Sequence, residues 1–111
     1  MELKLNIYNK KEVLKTYINN TYELMWGTVE DFLNVIKIDD LKAPTETEIS
    51  TLVIKAIPNS IQTIRELLKD VFEGITDEEL RNTKVKEIAK VVIDIVKYSI
   101  IEISKGTDAK N

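Results

Sequence analysis

The segment from Lys84 to Lys105 is the feature that most constrains the fold of this chain. Taken as an α-helix, it carries apolar side chains over an arc of about 220°, whereas a helix packed on one side needs a stripe of about 100°. The centre of this arc is formed by Val85, Ala89, Val92, Val96 and Ile103. Such a helix must be covered on two flanks, either by its own fold or by another protein.

The edges of the apolar arc are candidate contacts for a partner. Val91 and Tyr98 lie farthest from its centre and Ile95 lies beside it, so these three side chains are candidates. Ile101 lies on the charged side of the helix, where packing of the core does not require an apolar residue. It is the fourth candidate. The alternative for Ile101 is an isolated exposed apolar residue without function, which is common in soluble proteins.

The length and charge of the chain limit its class. At 111 residues we expect one domain, over residues 1–106, followed by a frayed tail at 107–111. The net charge of −3 argues against a nucleic-acid partner, which would call for a basic surface. No 18-residue uncharged run is present and the first residues lack the pattern of an export signal. We therefore expect a cytosolic protein without a membrane span.

The residue types needed for common catalytic chemistry are missing. The chain has no Cys and no His, which removes disulfides, thiolate nucleophiles, Cys/His metal sites and imidazole acid–base catalysis. The three glycines are isolated, so there is no phosphate-binding loop. Asp39 and Asp40 form an adjacent acid pair, but neighbours in sequence usually point apart. We expect no enzyme, no catalytic residue, no cofactor and no metal.

The N-terminal residues predict a β-hairpin. Leu3, Leu5 and Ile7 alternate with polar residues, the period of a half-buried strand. A turn at residues 9–11 and a second strand over residues 12–18 complete the hairpin, and the polar residues 19–21 end it.

Helices with recognisable ends follow the hairpin. The start signals are an N-cap at Thr28 and two capping-box pairs, Thr45 with Glu48 and Thr76 with Glu79. Pro58 predicts a stop or kink, and Gly74 a C-terminal cap. The predicted fold class is α+β, mainly α: an N-terminal β-hairpin followed by about four helices packed around a long C-terminal helix.

A cluster of large side chains separates the hairpin from the first helix. It contains Tyr22, Met25 and Trp26, residue types that are favoured at the centres of protein interfaces. One interpretation is that the three anchor a partner. The other is that Trp26, together with Phe32, closes the core beneath the hairpin.

Three segments resemble a known family. Residues 22–33 (YELMWGTVEDFL), 67–80 (LLKDVFEGITDEEL) and 83–88 (TKVKEI) are similar to the tail assembly chaperones of long-tailed bacteriophages that infect Gram-positive hosts. The likeness covers nearly the whole chain, and its motifs are structural rather than catalytic. Pro58 departs from the uninterrupted helix expected at that point.

The resemblance implies a function in virion morphogenesis. A protein of this family coats the long, apolar, helical tape measure protein, keeps it soluble and helps to recruit tail tube subunits. Recruitment often uses a longer product made by ribosomal frameshifting, and residues 109–111 (AKN) can be encoded by a slippery A-AAA-AAY heptamer. The family likeness further implies action in the host cytoplasm and absence from the mature virion. Self-association of the small domain belongs to the same hypothesis.

Two other classes stay open on the sequence. One is a structural virion component, such as a head–tail connector or a tail completion protein. The other is a small helical regulator that binds a host protein.

Overall fold

The computed structural model describes residues 1–36 and 45–102, with the side chains of residues 1–36 and 45–100. It confirms the predicted class, α+β and mainly α, with an N-terminal hairpin and five α-helices in the part of the chain that is described. The strands and helices are β1 (Glu2–Asn9), β2 (Glu12–Asn20), α1 (Trp26–Ile36), α2 (Glu46–Ala56), α3 (Ile61–Val71), α4 (Asp77–Arg81) and α5 (Val85–Lys97). A π-helical turn, Tyr98–Glu102, follows α5.

The hairpin has the predicted alternation in its first strand. Leu3, Leu5 and Ile7 point into the core and are at most 4% exposed. β2 pairs with β1 in antiparallel register and continues to Asn20, two residues beyond the predicted end at 18. The break expected at residues 19–21 is therefore wrong for Asn19 and Asn20, because both remain paired with β1.

Both capping boxes predicted at helix N-termini are confirmed. In both capping boxes the threonine hydroxyl accepts from the glutamate N–H, at 3.1 Å for Thr45 and for Thr76. The glutamate carboxylates accept in return from the threonine N–H groups. α2 ends two residues before Pro58, in a short 3₁₀ turn, as the missing amide of proline requires.

The predicted N-cap at Thr28 is wrong. α1 begins at Trp26, and the carbonyl of Met25 already accepts a hydrogen bond from the Val29 N–H at 3.1 Å. Thr28 therefore lies inside the first turn of the helix and is 7% exposed. The helix therefore begins two residues before Thr28, the residue whose side chain is best suited to cap it.

α5 is the central helix of the fold, as the breadth of its apolar arc predicted. It packs against β1, α1 and α2, so the protein itself covers both flanks. Val92 and Val96 are fully buried. The helix is shorter than expected: it ends at Lys97 and gives way to the π-helical turn, whereas the sequence predicted a helix over 84–104.

The predicted centre of the buried arc is wrong at the first turn of α5. Val85 is 72% exposed and lies outside the core, whereas Val92 and Val96 of the same arc are fully buried. Ile103, at the other end of the same arc, lies outside the described residues.

Gly74 lies after α3 in a conformation that favours glycine, with φ of +90°. We expect Gly74→Ala to lower the free energy of unfolding by about 1–2 kcal/mol, since a Cβ strains this backbone region. Gly27, inside α1, has no atom within 4 Å of an added Cβ. Gly27→Ala should therefore raise stability by up to about 1 kcal/mol. Urea denaturation of the two variants checks this difference in sign; equal effects would contradict it.

Candidate functional site

The cluster before α1 is on the surface. Tyr22 and Met25 are each 76% exposed and Trp26 is 64% exposed. The interpretation that Trp26 closes the core is wrong, whereas Phe32, one and a half turns further along α1, is fully buried as expected. The fold thus leaves three large side chains at one corner without using them in its core.

Tyr98 joins this corner from the far end of α5. Its ring packs edge-to-face against the ring of Tyr22, with 5.6 Å between the centroids and an interplanar angle of 80°. Edge-to-face pairs of this kind hold both rings in place. We call Tyr22, Met25, Trp26 and Tyr98 the aromatic patch.

The other candidates from the C-terminal helix do not belong to an open surface. Val91 is 2% exposed and Ile95 is fully buried, so both are core residues that a partner cannot reach without opening the fold. The prediction that Val91 and Ile95 contact a partner at the surface is therefore wrong. The side chain of Ile101 lies outside the described residues.

A second apolar surface, which the sequence did not reveal, lies at the start of α5. It is a groove of about 210 Å³ between α3, α4, the first turns of α5 and the 3₁₀ turn after α2. Its lining is almost wholly apolar and consists of Ile57, Ile61, Ile64, Leu68, Leu80, Val85 and Ile88, with Arg65 and Arg81. We call it the α3–α5 groove.

The floor and the rim of the groove differ in exposure. Ile64 and Leu68 are at most 3% exposed and belong to the core, whereas Ile61 and Val85 are 55% and 72% exposed. The apolar side chains at the rim are therefore exposed to solvent, whereas those at the floor are packed in the core. A partner side chain entering the groove would cover Ile61 and Val85 without disturbing the core.

Two arginines border the groove. The Arg65 Nε lies 4.0 Å from a carboxylate oxygen of Asp77, at the limit of an ion pair. Arg81 is exposed and forms no ion pair with any residue in the described ranges. The groove is thus apolar inside and positive at its edge, which favours a ligand with the opposite charge beside an apolar face.

Helical periodicity could not have found this groove. The pattern of α5 places Val85 on the same face as the buried Val92 and Val96, and that of α3 places Ile61 with Ile64 and Leu68. Periodicity identifies the apolar face of a helix but not how far along that face a neighbour extends. Ile61 and Val85 are the first residues of α3 and α5, and how far a neighbouring element reaches along each helix decides their exposure.

A hydrogen bond and an ion pair from Glu79 to the hairpin hold α4, and hence Leu80 of the groove, in position. Glu79 accepts from the Tyr17 hydroxyl at 2.6 Å and from the Thr76 N–H at 3.0 Å. Lys15 lies 3.4 Å from its second oxygen. The bond from Tyr17 first, then the bond from Thr76 and the charge of Lys15, lower the pKa of Glu79 below its ordinary value of 4.5.

This pKa shift predicts a pH dependence of stability. A carboxylate with a lowered folded pKa stabilises the fold above its unfolded pKa and loses that effect as the pH falls through the folded value. Glu79→Gln keeps a capping side chain but removes the charge. We expect it to lower the free energy of unfolding by about 1 kcal/mol at pH 7. The difference in free energy of unfolding between wild type and variant should become smaller below pH 4.5, as measured by urea denaturation. A difference that is constant down to pH 2.5 (about two units below the ordinary value) would contradict this assignment.

Comparison of the chain with protein-family models, curated proteins and solved structures finds no match. Within the described ranges, no helix is long and apolar enough to cross a membrane. The same residues contain no group of three or more acidic side chains placed to hold a metal ion.

Proposed function

We propose that this protein is a phage tail assembly chaperone that binds amphipathic helices of the tape measure protein, keeps that client soluble in the host cytoplasm and helps to recruit tail tube subunits. It acts by binding rather than by catalysis, and it is absent from the mature virion. The observation that carries the proposal is the open α3–α5 groove on a fold whose core is otherwise closed.

The size of the groove favours side chains of a protein partner over a metabolite. Its volume of about 210 Å³ is below the 300–1,000 Å³ usual for small-molecule pockets. Amphipathic helices bind such grooves by inserting apolar side chains at positions i, i+3, i+4 and i+7. An acidic residue beside those positions would meet Arg81. A long helical client offers this pattern repeatedly.

The aromatic patch provides a second contact for the same client. Exposed Trp and Tyr side chains bury a large area with little loss of conformational freedom, and Met adapts to varied surfaces. Two modest sites on each chaperone, and many chaperones on one client, increase the overall affinity through effective concentration. Individually weak sites also permit release when tube subunits replace the chaperone.

Co-expression with the tape measure protein tests the proposal. We expect the tape measure protein to be insoluble alone, to become soluble with this chain, and to co-purify with it in a ratio of several chaperones per client. A client that stays insoluble, or that fails to co-purify, would contradict the proposal.

Two further measurements separate the other two classes. A structural virion component would be found in purified particles, from which a chaperone is absent. A small regulator would form a discrete stoichiometric complex with one host protein and would not bind long apolar helices.

A further inference from the structure

The charge of the α3–α5 groove is opposite in sign to that of the whole chain. Two of the residues that line it are arginines, Arg65 and Arg81, and none of its lining residues in the described ranges is acidic. The chain as a whole carries a net charge of −3. Local charge in the groove therefore attracts acidic ligands, whereas the overall charge of the protein attracts basic ones.

The acidic side chains near the two arginines do not cancel their charge. Lys69 Nζ lies 2.8 Å from the Oδ1 atom of Asp77, whereas Arg65 Nε lies 4.0 Å from the same oxygen. The hydrogen bond from Lys69 is the main reason that the pKa of Asp77 lies below its ordinary value of 3.8. Glu78 lies near Arg81 but does not line the groove, and it forms no ion pair with Arg81. Asp77 is thus engaged mainly by Lys69, and both arginines remain available at the groove.

Each arginine stands four residues from an exposed apolar residue of the rim. Ile61 and Arg65 are one turn apart on α3, so their side chains are neighbours on one face of that helix. Arg81 ends α4, and Val85 begins α5. A ligand helix that lays its apolar stripe between Ile61 and Val85 thus has an arginine beside each flank of the stripe. In paired helices, the positions that flank the apolar stripe determine the choice of partner.

We propose that the α3–α5 groove selects amphipathic helices whose apolar stripe is flanked by acidic residues on both sides, and that Arg65 and Arg81 determine this specificity. The inference rests on the proposed function, in which the groove binds helices of the client, and it adds the chemistry of those helices. Apolar side chains of the ligand cover Ile61 and Val85, while a carboxylate on each flank meets one arginine. Ion pairs at such a rim contribute more to specificity than to affinity.

Three designed peptides that share one apolar stripe test the charge of the flanks. Each has about 20 residues, enough to form a helix in water, with leucine at positions i, i+3, i+4 and i+7 and with glutamate, glutamine or lysine on the flanks. Fluorescence anisotropy of the labelled peptides measures their affinities. The glutamate peptide should bind about 10-fold more tightly than the lysine peptide at low ionic strength, and about 3-fold more tightly in about 0.5 M salt. The net charge of −3 predicts the reverse order, so the order of the peptides separates the groove from the rest of the surface.

Arg81→Glu tests one of the two arginines. Arg81 is exposed and forms no ion pair within the described ranges, so the fold should be unaffected. The affinities for the glutamate and lysine peptides should become equal to within about 2-fold, because Arg65 and the new carboxylate act in opposite directions. Lys4→Glu is the matched control: it makes the same change in net charge at an exposed position of β1 that does not line the groove. It should keep the wild-type preference.

The remaining outcomes also decide the proposal. A wild type that binds the three peptides equally, or prefers lysine, overturns the inference but leaves the groove as a site for helices. An Arg81→Glu variant that is folded by circular dichroism and keeps the wild-type preference overturns it too. If that variant does not fold, the order of the peptides on the wild type is decisive.

Two outcomes reach further than the charge of the flanks. A wild type that binds none of the peptides at several hundred micromolar overturns this inference together with the place of the groove in the proposed function. Light scattering tests the remaining occupant, a second copy of the chain. A wild type that self-associates while Arg81→Glu stays monomeric would assign the groove to that second copy and overturn the proposal.

Discussion

Phe32→Ala is expected to lower the free energy of unfolding by about 3–5 kcal/mol, whereas Trp26→Ala, in the same helix, should change it by less than about 0.5 kcal/mol. Phe32 is fully buried in the core, on a helix that packs against α2, α3 and α5, so its removal leaves a cavity. Trp26 is 64% exposed and loses little on truncation. The loss at Phe32 would be a large fraction of the 5–15 kcal/mol typical of a domain.

Urea denaturation monitored by circular dichroism measures both values, since the far-ultraviolet signal does not depend on the single tryptophan. The pair also separates stability from binding: Trp26→Ala should weaken retention of the tape measure protein while leaving the fold intact. A Trp26→Ala variant that is as unstable as Phe32→Ala would show that Trp26 belongs to the core and that the aromatic patch does not exist.

Ile61→Glu should weaken binding of a helical tape measure peptide by about 30-fold or more, the effect of losing a hot spot of at least 2 kcal/mol. The substitution places a carboxylate at the rim of the α3–α5 groove, where it must be desolvated when an apolar side chain enters. Folding should change little, because Ile61 is 55% exposed. Isothermal titration calorimetry with the peptide measures the loss.

Ile54→Glu is the matched control for this experiment. Ile54 is 59% exposed, also lies on a helix, and does not line the groove. It should bind the peptide as the wild type does. Equal losses in the two variants would mean that net charge, rather than the groove, determines affinity.

The parts of the fold that were predictable from sequence are those determined by neighbouring residues. The capping boxes at Thr45 and Thr76 depend on bonds within a few positions, so residue identity is sufficient to locate them. The C-terminal cap predicted at Gly74 is wrong, because α3 ends at Val71 and its cap residue is Phe72. The alternation of Leu3, Leu5 and Ile7 similarly defines one face of a strand.

The features that were not predictable depend on elements distant in sequence. Trp26 and Val85 are as apolar as any core residue, and only the positions of the surrounding helices leave them exposed. The sequence predicts Val91 as an outlying residue of α5, but it is 2% exposed and belongs to the core that α5 forms with β1, α1 and α2. Periodicity could not give the position of β1 relative to α5, because their contact joins the two ends of the chain.

The position of the candidate site changes accordingly. The sequence suggested that the long C-terminal helix carries more apolar surface than the fold can cover. The structure covers the later turns of α5 and leaves exposed apolar side chains at the first turns of α5 and α3, at the start of α1, along β2 and on α2. The proposed client site therefore moves to the α3–α5 groove and the aromatic patch.

Photo-crosslinking from a single position tests the central claim most directly. The chain has no cysteine, so Val85→Cys gives one thiol, at a groove position that is 72% exposed, for attachment of a benzophenone label. Ile54→Cys, labelled in the same way, gives a matched exposed position outside the groove. Irradiation after mixing with the helical tape measure peptide should give a covalent adduct from Val85→Cys and little from Ile54→Cys. Equal adducts from the two positions, or none from Val85→Cys while the client is bound, would contradict the account.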